Sequence, residues 1–123
     1  MDIRRLFILI ADDNQDLATG LSILLKLFDF DVTTVNNGRD ALTVAEGRRP
    51  DVLLLDIGLP GLDGFQVARH FRTDDRLKDV HIIGISGYSP EMMSDRSALA
   101  DFNHYLVKPV DFGALLPLIH DRN

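Results

Sequence analysis

The chain has 123 residues, enough for one domain (residues 1–123) around one hydrophobic core and too few for a second. It contains no cysteine, which excludes disulfides, thiolate metal sites and cysteine nucleophiles. Thirteen Lys and Arg against nineteen Asp and Glu give a formal charge of −6, so direct nucleic-acid binding is not expected and the charge reads as ordinary solubility.

The first predicted element is the apolar run Leu6–Ala11. It is far shorter than the ~20 residues a membrane helix needs. No signal-peptide pattern precedes it in Met1–Arg5, so a cytoplasmic protein with no membrane insertion is expected. Leu17, Leu21, Leu24, Leu25 and Phe28 then recur at steps of three and four, a helical stripe, with Asp16 as its expected cap. Val32–Val35 alternates and reads as a weaker strand. Gly38–Gly47 carries Ala41, Leu42 and Ala45 as a shorter helical stripe. Val52–Leu55 is the third strand, and Phe65, Ala68 and Phe71 after Gly64 mark the third helix. Ile82–Ile85 is the fourth strand; Ser89-Pro90, a cap followed by proline in the first turn, opens a fourth helix. Tyr105–Val107 is the fifth strand, and Asp111 opens a last helix with Leu115, Leu116 and Ile119, which Pro117 should kink or shorten.

Continuous apolar runs alternating with helices predict an α/β fold with a parallel sheet. Ligands in such sheets bind beyond the carboxyl ends of the strands. Those ends carry Asp12-Asp13, Asp56, Ser86 and Lys108, the last followed by Pro109. In a parallel sheet all of them meet at one edge. Packed carboxylates repel unless a cation intervenes, and oxygen ligands of this kind suit Mg²⁺. A carboxylate can also attack phosphorus to give an aspartyl phosphate. Lys108 offers a compact charge and Ser86 a hydroxyl to phosphoryl oxygens. Pro60-Gly61-Leu62-Asp63-Gly64 forms a tight turn that leaves Asp56 at the sheet edge.

Four segments carry a resemblance to a known family: Ile8-Leu9-Ile10-Ala11-Asp12-Asp13-Asn14, Leu55-Asp56-Ile57-Gly58-Leu59-Pro60-Gly61-Leu62-Asp63-Gly64, Ile85-Ser86-Gly87-Tyr88 and Leu106-Val107-Lys108-Pro109. In this order the chain resembles the receiver domain of two-component response regulators over its whole length. The phrases Gly58–Gly64 and Ser86-Gly87-Tyr88-Ser89 resemble receivers fused to hybrid histidine kinases. The resemblance implies a (βα)5 doubly wound, flavodoxin-like fold: a five-stranded parallel sheet with helices on both faces. It implies Asp56 as phosphoacceptor, Asp13 as a direct Mg²⁺ ligand, Asp12 holding a metal-bound water, and the Gly58 carbonyl completing the metal shell. It implies that Ser86 and Lys108 bind phosphoryl oxygens, that Tyr105 is the aromatic switch, and that the Lys108–Pro109 bond is cis. Gly58 and Tyr88 stand where the family tunes dephosphorylation. The implied phosphodonor is a sensor histidine kinase or a histidine phosphotransfer protein, and the implied output surface is the fourth helix, fifth strand and last helix. Asp101 stands where the family usually has a glycine that needs positive φ.

Taken singly, these residues have plainer readings. Asp12 and Asp13 would serve as turn or cap residues, Ser86 as a loop serine, Lys108 as an ordinary lysine before proline, Tyr105 as a core or surface aromatic. A lone carboxylate ending an apolar strand is costly, which favours a function for Asp56. His70, His81, His104 and His120 lack metal-ligand spacing and read as packed or solvated; Met92 and Met93 read as helix packing. Three other functions compete. An aspartyl-nucleophile phosphatase of the haloacid dehalogenase type wants a second Asp two residues after the first, where Gly58 stands. A flavodoxin-like carrier wants a hydroxyl-rich phosphate loop where Asp12-Asp13 stands. A receiver-like interaction module acting without phosphorylation would lose part of the acidic set, all of which is kept here. No enzymatic turnover beyond self-phosphorylation from phosphodonors and autodephosphorylation is expected.

Overall fold

The computed structural model of the chain describes residues 5–89 and 97–121. Strands β1 (Phe7–Ala11), β2 (Asp31–Val35), β3 (Val52–Asp56), β4 (His81–Ser86) and β5 (His104–Val107) form one sheet in the order β2-β1-β3-β4-β5. Every pairing is parallel. Helices α1 (Gln15–Leu27), α2 (Gly38–Gly47), α3 (Gly64–Thr73) and α4 (Phe112–His120) and a 3₁₀ turn at Ser97–Asp101 complete the described elements.

Why the apolar runs are continuous follows from the two cores. Alternate residues of the sheet feed opposite faces. Phe7, Leu9, Leu53, Leu55 and Ile82 pack with Ala41, Ala45, Val67, Ala68 and Phe71 of α2 and α3. Ile8, Ile10, Val52, Leu54, Ile83 and Ile85 pack with Ala18, Leu21 and Leu25 of α1 and Leu115 and Ile119 of α4. The three central strands are buried throughout, while the edge strands β2 and β5 are mostly half-buried.

Helix ends follow local chemistry, with one shift from the sequence reading. α1 is capped by Asn14, whose side chain accepts from the Leu17 N–H, and Asp16 lies in the first turn. Asp16 thus meets the positive end of the helix without capping it. Asp63 caps α3 in a reciprocal box with Gln66. Asp111 caps α4 as expected, accepting from Gly113. α4 runs through Pro117 to His120, so the proline does not end it.

The fourth helix expected from Ser89-Pro90 falls on residues 90–96, outside the described residues, as do Met92 and Met93. Asp101 closes the 3₁₀ turn without the positive φ foreseen for it. Its carboxylate lies 3.6 Å from Arg69 Nη1, and its carbonyl accepts from Arg72 Nε at 2.9 Å. Among the described residues, the non-glycine residue with positive φ is Asp29, at 69°. It follows α1, where Asp29 N–H bonds the Lys26 carbonyl and Phe30 N–H the Leu25 carbonyl, satisfying the last turn.

Candidate phosphoryl and metal site

The sheet order reverses direction between β1 and β3, so a crevice opens beyond their carboxyl ends. Ala11 pairs with Leu55, which puts Asp12 beside Asp56. Asp12 and Asp56 are only 2% and 5% exposed, while Asp13 is exposed. One carboxylate oxygen from each of the three lies within 4.8 Å of the others. Lys108, brought in just past β5, places Nζ 3.3 Å from Asp56 Oδ2 and 3.7 Å from Asp12 Oδ2.

Backbone geometry holds the carboxylates. Gly58 N–H donates to Asp56 Oδ1 at 3.0 Å, and Asn14 N–H to Asp12 Oδ1 at 2.9 Å. The turn after β3 is tight for steric reasons. Gly61 takes φ 70°, which the turn after Pro60 requires. Gly64 lies so close to the end of β3 that a Cβ there would sit 2.7 Å from the Asp56 carbonyl. Only glycine lets α3 begin against the strand that carries Asp56.

Burial raises the Asp12 carboxyl above its ordinary value. The Asn14 N–H pulls it back, the Asp56 charge pushes it up, Lys108 lowers it, and a hydrogen bond with Asp56 adds a last upward push. One ammonium facing three carboxylates leaves negative charge uncompensated. That donor set fits a hard divalent cation of the Mg²⁺ type, with oxygen ligands and room for water on the exposed Asp13 side.

Ser86 is 5% exposed at the end of β4. Its Oγ accepts from the Tyr88 N–H at 3.1 Å, and the Tyr88 carbonyl accepts from the Tyr105 hydroxyl at 2.8 Å. Tyr105 is half-buried, and the Tyr88 side chain is exposed. The Lys108–Pro109 bond is cis. The structure thus gathers Asp12, Asp13, Asp56 and Lys108 closely. Ser86, Tyr88 and Tyr105 are joined in a separate hydrogen-bonded chain beside them.

One residue of the site, Asn14, and one structural tie away from it, Arg72, escaped the sequence reading. Asn14 both caps α1 and fixes Asp12, and the asparagine immediately after the Asp pair was the available signal. Arg72, half-buried near the end of α3, lies at the opposite edge of the sheet, where β4 and β5 begin. Its guanidinium donates to the carbonyls of Asp101, Lys78 and Val80 and to Asn103 Oδ1. Burial lowers its pKa, and no local pattern announces partners so distant in sequence. Three of the four histidines are packed or paired: His81 Nε2 lies 2.9 Å from the Leu118 carbonyl, His104 Nε2 lies 3.3 Å from Asp121, and the His120 ring lies tilted 5.7 Å from Phe30, while His70 is exposed on α3.

The response regulator receiver domain family matches residues 8–120. The DNA-binding response regulator MtrA of Mycobacterium tuberculosis is 35% identical over 109 residues, which are 89% of this chain and 46% of MtrA. The chain therefore spans about half the length of that relative. Protein PilH of Pseudomonas aeruginosa is 33% identical over 113 residues, 92% of this chain and 93% of PilH. Among solved structures, the receiver domain of sensor histidine kinase PA1611 from Pseudomonas aeruginosa superposes with a TM-score of 0.86 at 30% identity. The match covers 97% of this chain and 98% of that one, and that structure has a magnesium ion coordinated in its active-site cleft. The segments around the acidic cluster, Ser86 and Lys108 all lie inside the matched span, and the chain belongs to the response regulator receiver domain family of two-component signalling.

Proposed function

We propose that this receiver accepts a phosphoryl group on Asp56 and signals by a change of surface. The observation that carries the reading is a buried Asp56 carboxylate at the sheet edge, 3.3 Å from Lys108 and within ligand reach of Asp12 and Asp13. Mg²⁺ held by Asp12, Asp13, Asp56 and the Gly58 carbonyl would neutralise charge on the carboxylates and the incoming phosphoryl oxygens. Asp12, which the family pattern gives the role of holding a metal-bound water, is the carboxylate that burial penalises most clearly when no cation is present.

The chain's own residues do the following. Asp56 supplies a carboxylate oxygen to the phosphorus of a phosphohistidine on a sensor kinase or phosphotransfer protein. The O–P bond forms as the P–N bond breaks, and the imidazole leaves. Lys108 shifts from the carboxylate to a phosphoryl oxygen, so its charge follows the negative charge as it moves. Ser86 rotates its hydroxyl to another phosphoryl oxygen and gives up the Tyr88 N–H. Tyr105, bonded to the Tyr88 carbonyl, senses that change and passes it to β5 and the adjoining 3₁₀ turn. Water later hydrolyses the acyl phosphate.

Intact mass after incubation with acetyl phosphate tests the reading. Wild type gains one phosphoryl group only with Mg²⁺, and Asp56→Ala gains none. A gain that survives Asp56→Ala, or one indifferent to Mg²⁺, would overturn it.

A further inference from the structure

β4 carries Ile82, Ile83 and Ile85 around one gap in its packing, Gly84. Glycine inside a strand weakens it and marks a place where something must approach the backbone closely. Gly84 pairs in register with Tyr105 on β5. Side-chain alternation puts Ile82, position 84 and Ser86 on one face of the sheet, the face Ile82 shares with α3. Two aromatic rings fill the gap. A Cβ at position 84 would lie 2.8 Å from Phe102 Cδ1, 3.0 Å from Phe102 Cε1 and 3.3 Å from Tyr105 Cδ2. Phe102 has little freedom to retreat, because its ring meets Phe65 of α3 edge-on at 5.9 Å. Tyr105 reaches past the gap to the Tyr88 carbonyl, two residues beyond Ser86.

We propose that Gly84 is a positioning residue for the switch: its bare backbone is the seat on which the Tyr105 ring lies inward against Phe102. The size of residue 84 therefore sets how far Tyr105 turns in. Phe102 follows the 3₁₀ turn directly, so the seat also links Tyr105 to that turn. A methyl group at position 84 meets the Phe102 ring first, at 2.8 Å, so Phe102 must shift. With Phe65 behind it, Phe102 is driven onto the Tyr105 ring, which moves outward and loses its hydrogen bond to the Tyr88 carbonyl. Phosphoryl chemistry at Asp56 is left in place, and the surface change no longer follows it. This rests on the phosphoacceptor reading above.

The chain has two tyrosines, so uniform 3-fluorotyrosine labelling gives two ¹⁹F signals, assigned by Tyr105→Phe. In wild type the half-buried Tyr105 ring is expected to give a smaller H₂O/D₂O isotope shift than the exposed Tyr88 ring. Gly84→Ala is expected to give Tyr105 the solvent-exposed shift. Its acetyl phosphate uptake, read by intact mass, stays within about twofold of wild type because no group of the site is changed. Adding Phe102→Leu reopens the space and returns the Tyr105 signal toward its wild-type position. This rescue separates a ring seat from a general loss of packing, and it also serves if Gly84→Ala alone folds poorly. An unmoved Tyr105 signal in a folded Gly84→Ala variant overturns the proposal, as does a moved signal that Phe102→Leu leaves in place. Failure of wild type to take up phosphoryl under any condition sinks the phosphoacceptor reading and with it the switch role of Gly84, whereas a failed ¹⁹F result with normal uptake sinks the seat alone.

Discussion

Asp12 is the residue where sequence, packing and chemistry conflict most openly. It is a carboxylate buried beside a second carboxylate, with one lysine to answer both. Its pKa in the fold lies above the ordinary value near 3.8, so just above that pH the folded chain holds a proton that the unfolded chain has released. Stability contributed by this group therefore falls as pH rises through that window. Asp12→Asn should raise the metal-free melting temperature at neutral pH, by the equivalent of about 1 kcal/mol. The gain should shrink as pH drops toward 4, and Mg²⁺ should bind the variant more weakly. Thermal melts across pH with and without Mg²⁺ check this; a variant less stable than wild type at neutral pH without metal contradicts it. Gly58 offers a second residue-scale test. A Cβ there would stand 3.7 Å from Asp56 Oδ1, and the Tyr88 side chain is exposed. Under the proposed chemistry, groups placed at these two positions would border the path of the hydrolytic water. Substituting either should change the decay rate of the acyl phosphate, and unchanged rates for both would count against the assignment.

At the scale of elements, the helix ends are the most tractable parts of the fold. The Asp63–Gln66 box fixes the start of α3, and with it the turn that presents Asp56. Asp63→Ala should cost about 1 kcal/mol. Asp29 holds positive φ at the end of α1, a conformation that glycine adopts without strain. Asp29→Gly should accordingly gain stability, by roughly 0.5 kcal/mol. Urea denaturation of both variants reads the two opposite signs. The cap of α1 also shows where sequence reading slips. Asn14 and Asp16 are both good capping residues, and only the backbone decides which one lies outside the first turn. The same holds for Asp101 and Asp29. Either aspartate tolerates positive φ, and the 3₁₀ turn removes the need at Asp101.

At the scale of the whole molecule, the fold was legible because both faces of the sheet are covered. Strands such as Phe7–Ala11 and Val52–Asp56 must then read as unbroken apolar runs, and the residues that break them fall at one edge. The acidic set, Ser86 and Lys108 are thus legible at the strand ends in the sequence alone. What stayed hidden were links between distant segments. Arg72 ties α3 to Asp101 and Asn103, and Gly84 makes room for Phe102 and Tyr105. Neither has a local signature, since each depends on which segments the sheet order brings together. In the proposed function one carboxylate among three takes the phosphoryl group, and its location can be read directly. Acetyl phosphate and Mg²⁺ are added, the acyl phosphate is reduced with borohydride to homoserine, and the digest is sequenced by mass spectrometry. Homoserine at position 56 alone is the predicted result; homoserine at position 12 or 13, or at none of the three, would contradict the account.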